Sequence, residues 1–207
     1  MLLAVEENRA EREMLRRELR QRREALAQEQ VAAASKAVCQ VLRAFPPPTA
    51  AAFYAPVGGE IDARSIAAEW LAAGNTLCFP RVTDDQRLEF HQVQSLYDLK
   101  ADRYGIPAPV LGCEAVKMSQ LSLVLVPGIA FARDGHRLGF GRGYYDFALA
   151  ACPQALRIGL AHSFQLIDSI PIRVGDQPVD FVLIPEGAHA TLARPNMTDF
   201  APKEVLP

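Results

Sequence analysis

The chain has 207 residues, and half of them are apolar, which is enough to bury the core of one domain of ordinary size. Its 22 lysines and arginines nearly balance 24 aspartates and glutamates, so the formal net charge of -2 does not favour binding to nucleic acid or to an anionic membrane surface. The four cysteines and four histidines form neither a C-x-x-C motif nor a zinc-type cluster, and we expect reduced thiols in a cytoplasmic protein.

The first part of the sequence predicts helices. Residues 6–45 contain no proline or glycine and are rich in Ala, Leu, Arg, Glu and Gln, which favours two helices or one bent helix. Pro46-Pro47-Pro48 ends this region. Between residues 6 and 24, seven arginines are nearly matched by six glutamates. That balance is typical of a solvated helix face with i,i+4 pairs and disfavours an RNA-binding arm.

Two of these arginines lie at the edge of an apolar stripe. At about 100° per residue, Leu15, Leu19 and Leu26 fall on one face of a helix, and Arg12 and Arg16 flank that face. We therefore expect both arginines to lean over whatever the helix packs against.

Strand and helix patterns alternate along the rest of the chain. Strands are predicted at residues 49–56, 76–82, 87–93, 121–128, 156–162 and 179–185, and helices at 62–74 and 143–152. Asp62 is expected to be the N-cap of the first of these helices, and Gly74 is expected to end it. The alternation predicts an α/β fold: a three-layer α/β/α, open, mostly parallel sheet with an N-terminal helical appendage.

These elements predict one domain over residues 1–207. The helices of residues 1–45 would pack on an α/β core at 49–187, and residues 188–207 would form a C-terminal tail. The longest apolar stretch, residues 121–132, is interrupted by Pro127-Gly128 and is shorter than the roughly 20 residues that a membrane-spanning helix needs. We therefore expect no membrane partner.

The segment "RLGFGRGYYD", residues 137–146, carries the clearest functional signal. Gly139, Gly141 and Gly143 allow the backbone to approach a ligand closely and to point successive N–H groups into one concavity, and a predicted helix follows at once. Arg137 and Arg142 would supply charge-assisted donors to an anion. The spacing matches neither a dinucleotide-binding fingerprint nor a P-loop, so an ordinary glycine-rich hairpin is the alternative to a phosphate site.

Asp146 indicates a metal ion beside such a phosphate site. A carboxylate close to phosphate oxygens would repel them unless a divalent cation lay between, and Mg²⁺ is usually held by one or two carboxylates together with phosphates and water. A second acid is therefore expected, and Asp180, at the start of the last predicted strand, is the candidate. Its alternative interpretation is a simple turn residue.

Two further loops have different interpretations, and only the first lies at the end of the sheet where small molecules bind. Glu60 stands between a predicted strand and a predicted helix, where it either faces a ligand or only complements the helix dipole. Asp134-Gly135 is a hairpin turn signal just before the glycine-rich segment.

Taken together, these blocks resemble the 5-formyltetrahydrofolate cyclo-ligase (methenyltetrahydrofolate synthetase) family. The resemblance is carried by "PGIAFARDGHRLGFGRGYYD", with "FYAPVGGEID", "CFPRV", "YGIPAP" and the N-terminal "LRRELRQRR", and it runs in order from about residue 12 to residue 185. It implies an enzyme that uses ATP and Mg²⁺ to convert 5-formyltetrahydrofolate into 5,10-methenyltetrahydrofolate, releasing ADP and phosphate. It also implies a small-molecule partner, no nucleic acid and a monomer.

The resemblance also assigns residues. The ATP site would comprise Arg12, Arg16 and the loop Arg137, Leu138, Gly139, Phe140, Gly141, Arg142, Gly143, Tyr144 and Tyr145. The folate would contact Ala55, Glu60, Phe140 and Tyr144. Mg²⁺ would be held by Asp146 and Asp180, and the catalytic residues would be Arg142 and Tyr145.

Three positions differ from the family pattern, and two other functions remain open. Ala132 stands where an acid is common, Phe140 replaces a basic residue of some members, and Ala108 replaces a Glu or Gln. The first alternative function is a relative that binds ATP or reduced folate without turnover. The second is an RNA-associated protein that uses the arginine-rich helix.

Overall fold

The computed structural model describes residues 2–84, 87–103 and 105–190, and it begins with two helices. Helix α1 spans Leu2–Glu24 and helix α2 spans Gln28–Leu42. The sequence favoured either two helices or one bent helix, and the structure has two. Because α1 ends at Glu24, Leu26 lies in the connecting turn and does not continue the apolar stripe, which is a correction.

A seven-stranded sheet forms the centre of the molecule. Its strand order is β12-β11-β9-β6-β1-β2-β3. The strands are β1 (Ala50–Ala52), β2 (Thr76–Val82), β3 (Leu88–Val93), β6 (Leu123–Val126), β9 (Leu156–Leu160), β11 (Phe181–Ile184) and β12 (Gly187–Ala190). The five inner strands pair in parallel, and β3 and β12 add antiparallel edges. The mostly parallel sheet is therefore confirmed.

Helices cover the two faces of this sheet. On one face, α2 and α3 (Arg64–Ala72) bury Leu42 and Trp70 against β-strand residues such as Leu125. On the other face, α4 (Tyr144–Ala150) buries Leu149 near Val126. Strands buried on both sides are continuous apolar runs, as β6 and β11 are, and the three-layer prediction is confirmed.

Two smaller sheets lie beside the central one. Strands β7 (Ala130–Ala132), β8 (Arg137–Leu138) and β10 (Leu166–Ile167) form the first, and Leu19 of α1 packs against it. Strands β4 (Leu99–Ala101) and β5 (Pro107–Pro109) form the second. Single 3₁₀ turns occur at Leu96–Asp98, Met118–Gln120 and Ser163–Gln165. The predicted hairpin turn at Asp134-Gly135 joins β7 to β8, with Gly135 at φ +95°.

Several predicted boundaries need correction. Ala63, not Asp62, is the N-cap of α3, although an Asp62 carboxylate oxygen accepts a hydrogen bond from the Arg64 backbone N at 2.9 Å. Gly74 does end this helix, in the left-handed region at φ +85°. Residues 188–190 pair with β11 as part of β12 and so belong to the sheet. The rest of the predicted tail, residues 191–207, and Tyr104 of the "YGIPAP" segment lie outside the described residues.

None of the helices in the described ranges combines the length and apolarity needed to cross a bilayer.

Candidate active site

A cavity of about 660 Å³ opens at the carboxyl ends of the parallel strands. The turn after β1, the segment after β6 and the loop between β8 and α4 form its walls, and α1 closes one side. It is lined by nearly all of the predicted site residues: Arg12, Arg16, Ala55, Glu60, Arg137, Gly139, Phe140, Gly141, Arg142, Gly143, Tyr144, Tyr145 and Asp146. Residues that lie up to about 130 positions apart in the sequence therefore meet in one site.

Leu138 and Asp180 are the two predicted site residues that do not line this cavity. Leu138 is fully buried in the small sheet, where its carbonyl accepts a hydrogen bond from the Ile129 N at 2.7 Å. The side chains of a strand point alternately to opposite faces, so Arg137 can reach the cavity only while Leu138 points into the core.

The glycine loop, residues 139–143, has the backbone freedom that the sequence predicted. Gly141 and Gly143 adopt φ values of +103° and +73°, which side chains other than glycine rarely tolerate, and α4 begins directly after Gly143. The Arg16 guanidinium packs over Gly141, and its Nε donates a hydrogen bond to the Gly139 carbonyl at 2.9 Å. Helix α1 therefore holds the loop in place.

Two buried arginines line the cavity and pair with acids. Arg12 Nη1 lies 2.7 Å from an Asp176 carboxylate oxygen and donates to the Pro171 carbonyl at 2.5 Å. Arg137 Nη2 lies 2.7 Å from Asp146 Oδ1. The Nε atoms of both arginines are buried without a hydrogen-bond partner. Both side chains line the cavity, and a buried donor without a partner is a group that an anionic ligand could satisfy.

Asp176, which the sequence did not single out, also lines the cavity, together with Glu60, Asp102 and Asp146. Asp180 directly precedes β11, and its carboxylate accepts a hydrogen bond from the Arg157 N at 2.7 Å, beside the amino end of β9. The amino ends of parallel strands lie at the edge of the sheet opposite the cavity. Asp176 stands four residues earlier, in the loop that reaches the cavity, and Asp146 accepts a hydrogen bond from the neighbouring Gln177 N at 3.2 Å.

Glu60 lies in the loop after β1, where burial makes it weakly acidic. The carboxyl group is 5% exposed, accepts a hydrogen bond from the Val57 N at 3.0 Å and lies 3.3 Å from Arg23 Nη1. Burial raises the pKa of Glu60 to about 7, and the nearby Arg23 charge opposes that rise. The predicted location of Glu60, in the loop after a strand, is confirmed. Arg23 was not singled out, because the arginine-rich run gives no signal for which members are buried.

Aromatic rings line the space between these walls. The Tyr145 hydroxyl is buried without a hydrogen-bond partner, and burial raises the pKa of Tyr145. Its ring packs edge-on against Phe90 at 6.2 Å between centroids. Tyr144 and the half-exposed Phe140 also line the cavity. A hydroxyl without a partner in such a position is available to a bound ligand.

The three departures from the family pattern fall in different places. Phe140 and Ala108 line the cavity, so a change there alters what a ligand meets. Ala132 is fully buried in β7 and does not line the cavity.

Comparisons with known proteins agree on one family. A sequence model of the 5-formyltetrahydrofolate cyclo-ligase family matches residues 8–185. The 5-formyltetrahydrofolate cyclo-ligase of Escherichia coli K12 is 28% identical over 175 residues, which cover 81% of this chain and 96% of that protein. The mouse protein of the same name is 40% identical over 75 residues, 34% of this chain and 37% of its own length.

Solved structures give the same answer. The NMR structure of Aquifex aeolicus 5,10-methenyltetrahydrofolate synthetase superimposes with a TM-score of 0.78 at 29% identity, covering 90% of this chain and 95% of that one. The 5,10-methenyltetrahydrofolate synthetase from Mycoplasma pneumoniae gives a TM-score of 0.70 at 26% identity, covering 84% and 98%.

Proposed function

Since this chain belongs to the 5-formyltetrahydrofolate cyclo-ligase family and is an enzyme, we propose that it converts 5-formyltetrahydrofolate into 5,10-methenyltetrahydrofolate at the expense of ATP. The observation that carries the proposal is the single cavity that unites the glycine loop, two buried arginines with orphaned Nε donors and the weakly acidic Glu60. A polyanion and a polar ring system both find complementary groups there.

The reaction needs a better leaving group on the formyl carbon. The formyl group on N5 is an amide, so its carbon is a poor electrophile and its oxygen a poor leaving group. Transfer of the γ-phosphoryl group of ATP to that oxygen converts it into a phosphate ester and releases ADP. N10 then attacks the same carbon and gives up its proton to solvent, the C–O bond breaks, inorganic phosphate leaves and the five-membered ring closes. Such transfer depends mainly on positioning and charge neutralisation.

The phosphate groups of ATP would lie on the glycine loop. Backbone N–H groups around Gly141 and Gly143 can approach phosphate oxygens because no Cβ intervenes. Arg12 and Arg137 would direct their unpartnered Nε donors to the same oxygens, and Arg16 would keep the loop in place. These contacts orient the γ-phosphoryl group toward the folate.

Two acids on the cavity wall fit a magnesium ion. Asp146 and Asp176 offer the hard oxygen ligands that Mg²⁺ prefers, and within the described parts of the chain no cluster of three or more His, Cys, Asp or Glu could replace them. Phosphate oxygens and water would therefore complete the coordination. When bound, the ion would neutralise phosphate charge. The position of Asp180, away from the cavity, argues against it as the second ligand.

The folate would occupy the opposite side of the cavity. Glu60, when ionised, can accept hydrogen bonds from the N–H groups of the pterin, and Tyr144, Phe140 and Ala55 would pack against the ring system. Arg142 would stabilise the phosphoryl group during transfer. The orphaned Tyr145 hydroxyl would donate a hydrogen bond to the reacting formyl group.

The direct test follows the absorbance rise of 5,10-methenyltetrahydrofolate when the purified protein meets 5-formyltetrahydrofolate, ATP and Mg²⁺. A rise that disappears without ATP or without Mg²⁺ is the expected result. ATP binding without any rise would instead support a non-catalytic folate or nucleotide-binding relative. A matched pair of variants tests the metal assignment: Asp176→Asn should raise the Mg²⁺ concentration needed for half-maximal rate, and Asp180→Asn should leave it unchanged.

A further inference from the structure

The last turn of α1 places a buried arginine behind the cavity wall. Arg23 is 2% exposed and does not line the cavity itself. Its Nε donates to the Gly58 carbonyl at 2.9 Å, and its Nη1 donates to the Gly128 carbonyl at 3.1 Å and to Glu60 Oε1 at 3.3 Å. One guanidinium group therefore joins the turn after β1 to the segment after β6.

Arg23 also reaches the glycine loop. Its Cζ atom lies 5.6 Å from the centroid of the Phe140 ring, within the range of a cation–π contact. The side chain thus touches three walls of the site from behind. Burying an arginine this deeply is costly unless its charge is paired and its donors are used, so a role in holding Glu60 and the walls would account for its position.

We propose that Arg23 is a positioning residue that keeps the Glu60 carboxylate charged and aimed at the folate. The proposal rests on the proposed function, in which the ionised carboxylate accepts hydrogen bonds from the pterin. Burial raises the pKa of Glu60 to about 7, which leaves the group only partly ionised at neutral pH. The facing guanidinium opposes that rise, so without it the pKa of Glu60 would be higher still and less of the carboxylate would be ionised at neutral pH.

Among the described residues, the other titratable groups near Glu60 carry no positive charge that could replace Arg23. Tyr54, after β1, is buried, and Tyr145, on α4, is partly buried with its hydroxyl enclosed; burial raises the pKa of each hydroxyl, so both stay neutral. His162, after β9, bonds through Nε2 to the Gly59 carbonyl at 2.8 Å, and burial lowers its pKa. The imidazole is therefore harder to protonate than an ordinary histidine.

The test compares Arg23→Gln with Arg22→Gln. Arg22 lies on the same turn, but it is exposed and stacks on the Phe164 ring at 4.3 Å, away from Glu60. In Arg23→Gln, the acidic limb of kcat/KM for 5-formyltetrahydrofolate should move upward by about 1–3 pH units. The KM of Arg23→Gln for ATP should stay within about twofold of the parent value. In Arg22→Gln, the acidic limb should lie at the same pH as in the parent protein. An activity loss in Arg23→Gln that is equal at every pH would overturn the proposal.

A second readout does not need turnover. Carboxyl ¹³C titration by NMR, with the Glu60 signal identified by its loss in Glu60→Gln, should show the same upward shift in Arg23→Gln. An inactive parent protein would refute the proposed function, and this titration would still decide the role of Arg23. If Arg23→Gln does not fold, Arg23→Lys keeps the charge but cannot span Gly58 and Gly128. We expect Arg23→Lys to raise the KM for the folate several-fold with little change in the pH of the acidic limb. An unchanged KM for the folate would refute the positioning role of Arg23.

Discussion

Replacing Glu60 by glutamine should flatten the pH dependence of folding stability. The folded protein holds this carboxyl group 5% exposed with a pKa of about 7, against an ordinary value of 4.5. Between these two pH values the folded state binds a proton that the unfolded state has released. The stabilisation is therefore fully present below about pH 4.5 and is lost as the pH rises through about 7.

The size of this effect follows from the shift. A difference of about 2.5 pH units, at about 1.4 kcal/mol per unit, corresponds to about 3–4 kcal/mol of unfolding free energy lost on going from acid to neutral pH. The glutamine variant has no group to titrate here. Its loss of a partner for Arg23 lowers stability by an amount that does not depend on pH, so the comparison of slopes isolates Glu60.

Urea unfolding followed by the fluorescence of Trp70, the single tryptophan, measures these slopes at pH values from about 5 to 8. The parent protein should lose stability steeply over this range relative to Glu60→Gln. Glu69→Gln is the surface control. Pairing with Arg43 lowers the pKa of Glu69, so Glu69 does not contribute to the stability loss, and this variant should keep the pH dependence of the parent protein. Parallel curves for the parent protein and Glu60→Gln would refute the reasoning.

Three further substitutions test the site and its frame. Asp146→Asn should lower the Mg²⁺-dependent kcat by at least about 100-fold with an unchanged circular dichroism spectrum, and near-normal turnover would refute the metal assignment. Arg12→Gln should raise KM for ATP by about tenfold or more in initial-rate assays, because it removes a charge from the cavity wall. Gly59→Ala should cost about 1–3 kcal/mol more than Gly74→Ala in urea unfolding, since only at Gly59 would the added Cβ meet backbone, the Arg23 carbonyl oxygen, at 2.8 Å. Equal losses would contradict that clash.

Much of the fold could be predicted because its signals are local. The absence of proline and glycine before residue 46, the buried apolar runs and the glycine at position 74 each act within a few residues of themselves. A strand such as Leu123–Val126 is apolar throughout because helices cover both faces of the sheet, and that pattern is visible without coordinates. The boundaries were less accurate, since the three residues of Ala50–Ala52 pair where eight were predicted.

The glycine loop and most of the residues around it were also predicted from the sequence. Glycines at alternate positions next to arginines predict either a phosphate-binding loop or an ordinary glycine-rich hairpin, because glycine readily adopts φ values such as the +103° of Gly141. The structure then brought Arg12, Arg16 and Glu60 to the same cavity, as the family resemblance implied.

Only the tertiary structure showed which acids reach the cavity and which arginine of α1 is buried behind its wall. Asp176 and Asp180 are alike in the sequence, yet one lies in a loop that reaches the carboxyl ends of the strands and the other begins β11 at the opposite edge. Arg23 looks like any other arginine of α1 until Gly128, 105 positions away, is seen to accept its hydrogen bond. Local patterns determine which elements form, whereas the pairing of a buried charge depends on contacts between residues that are distant in the chain.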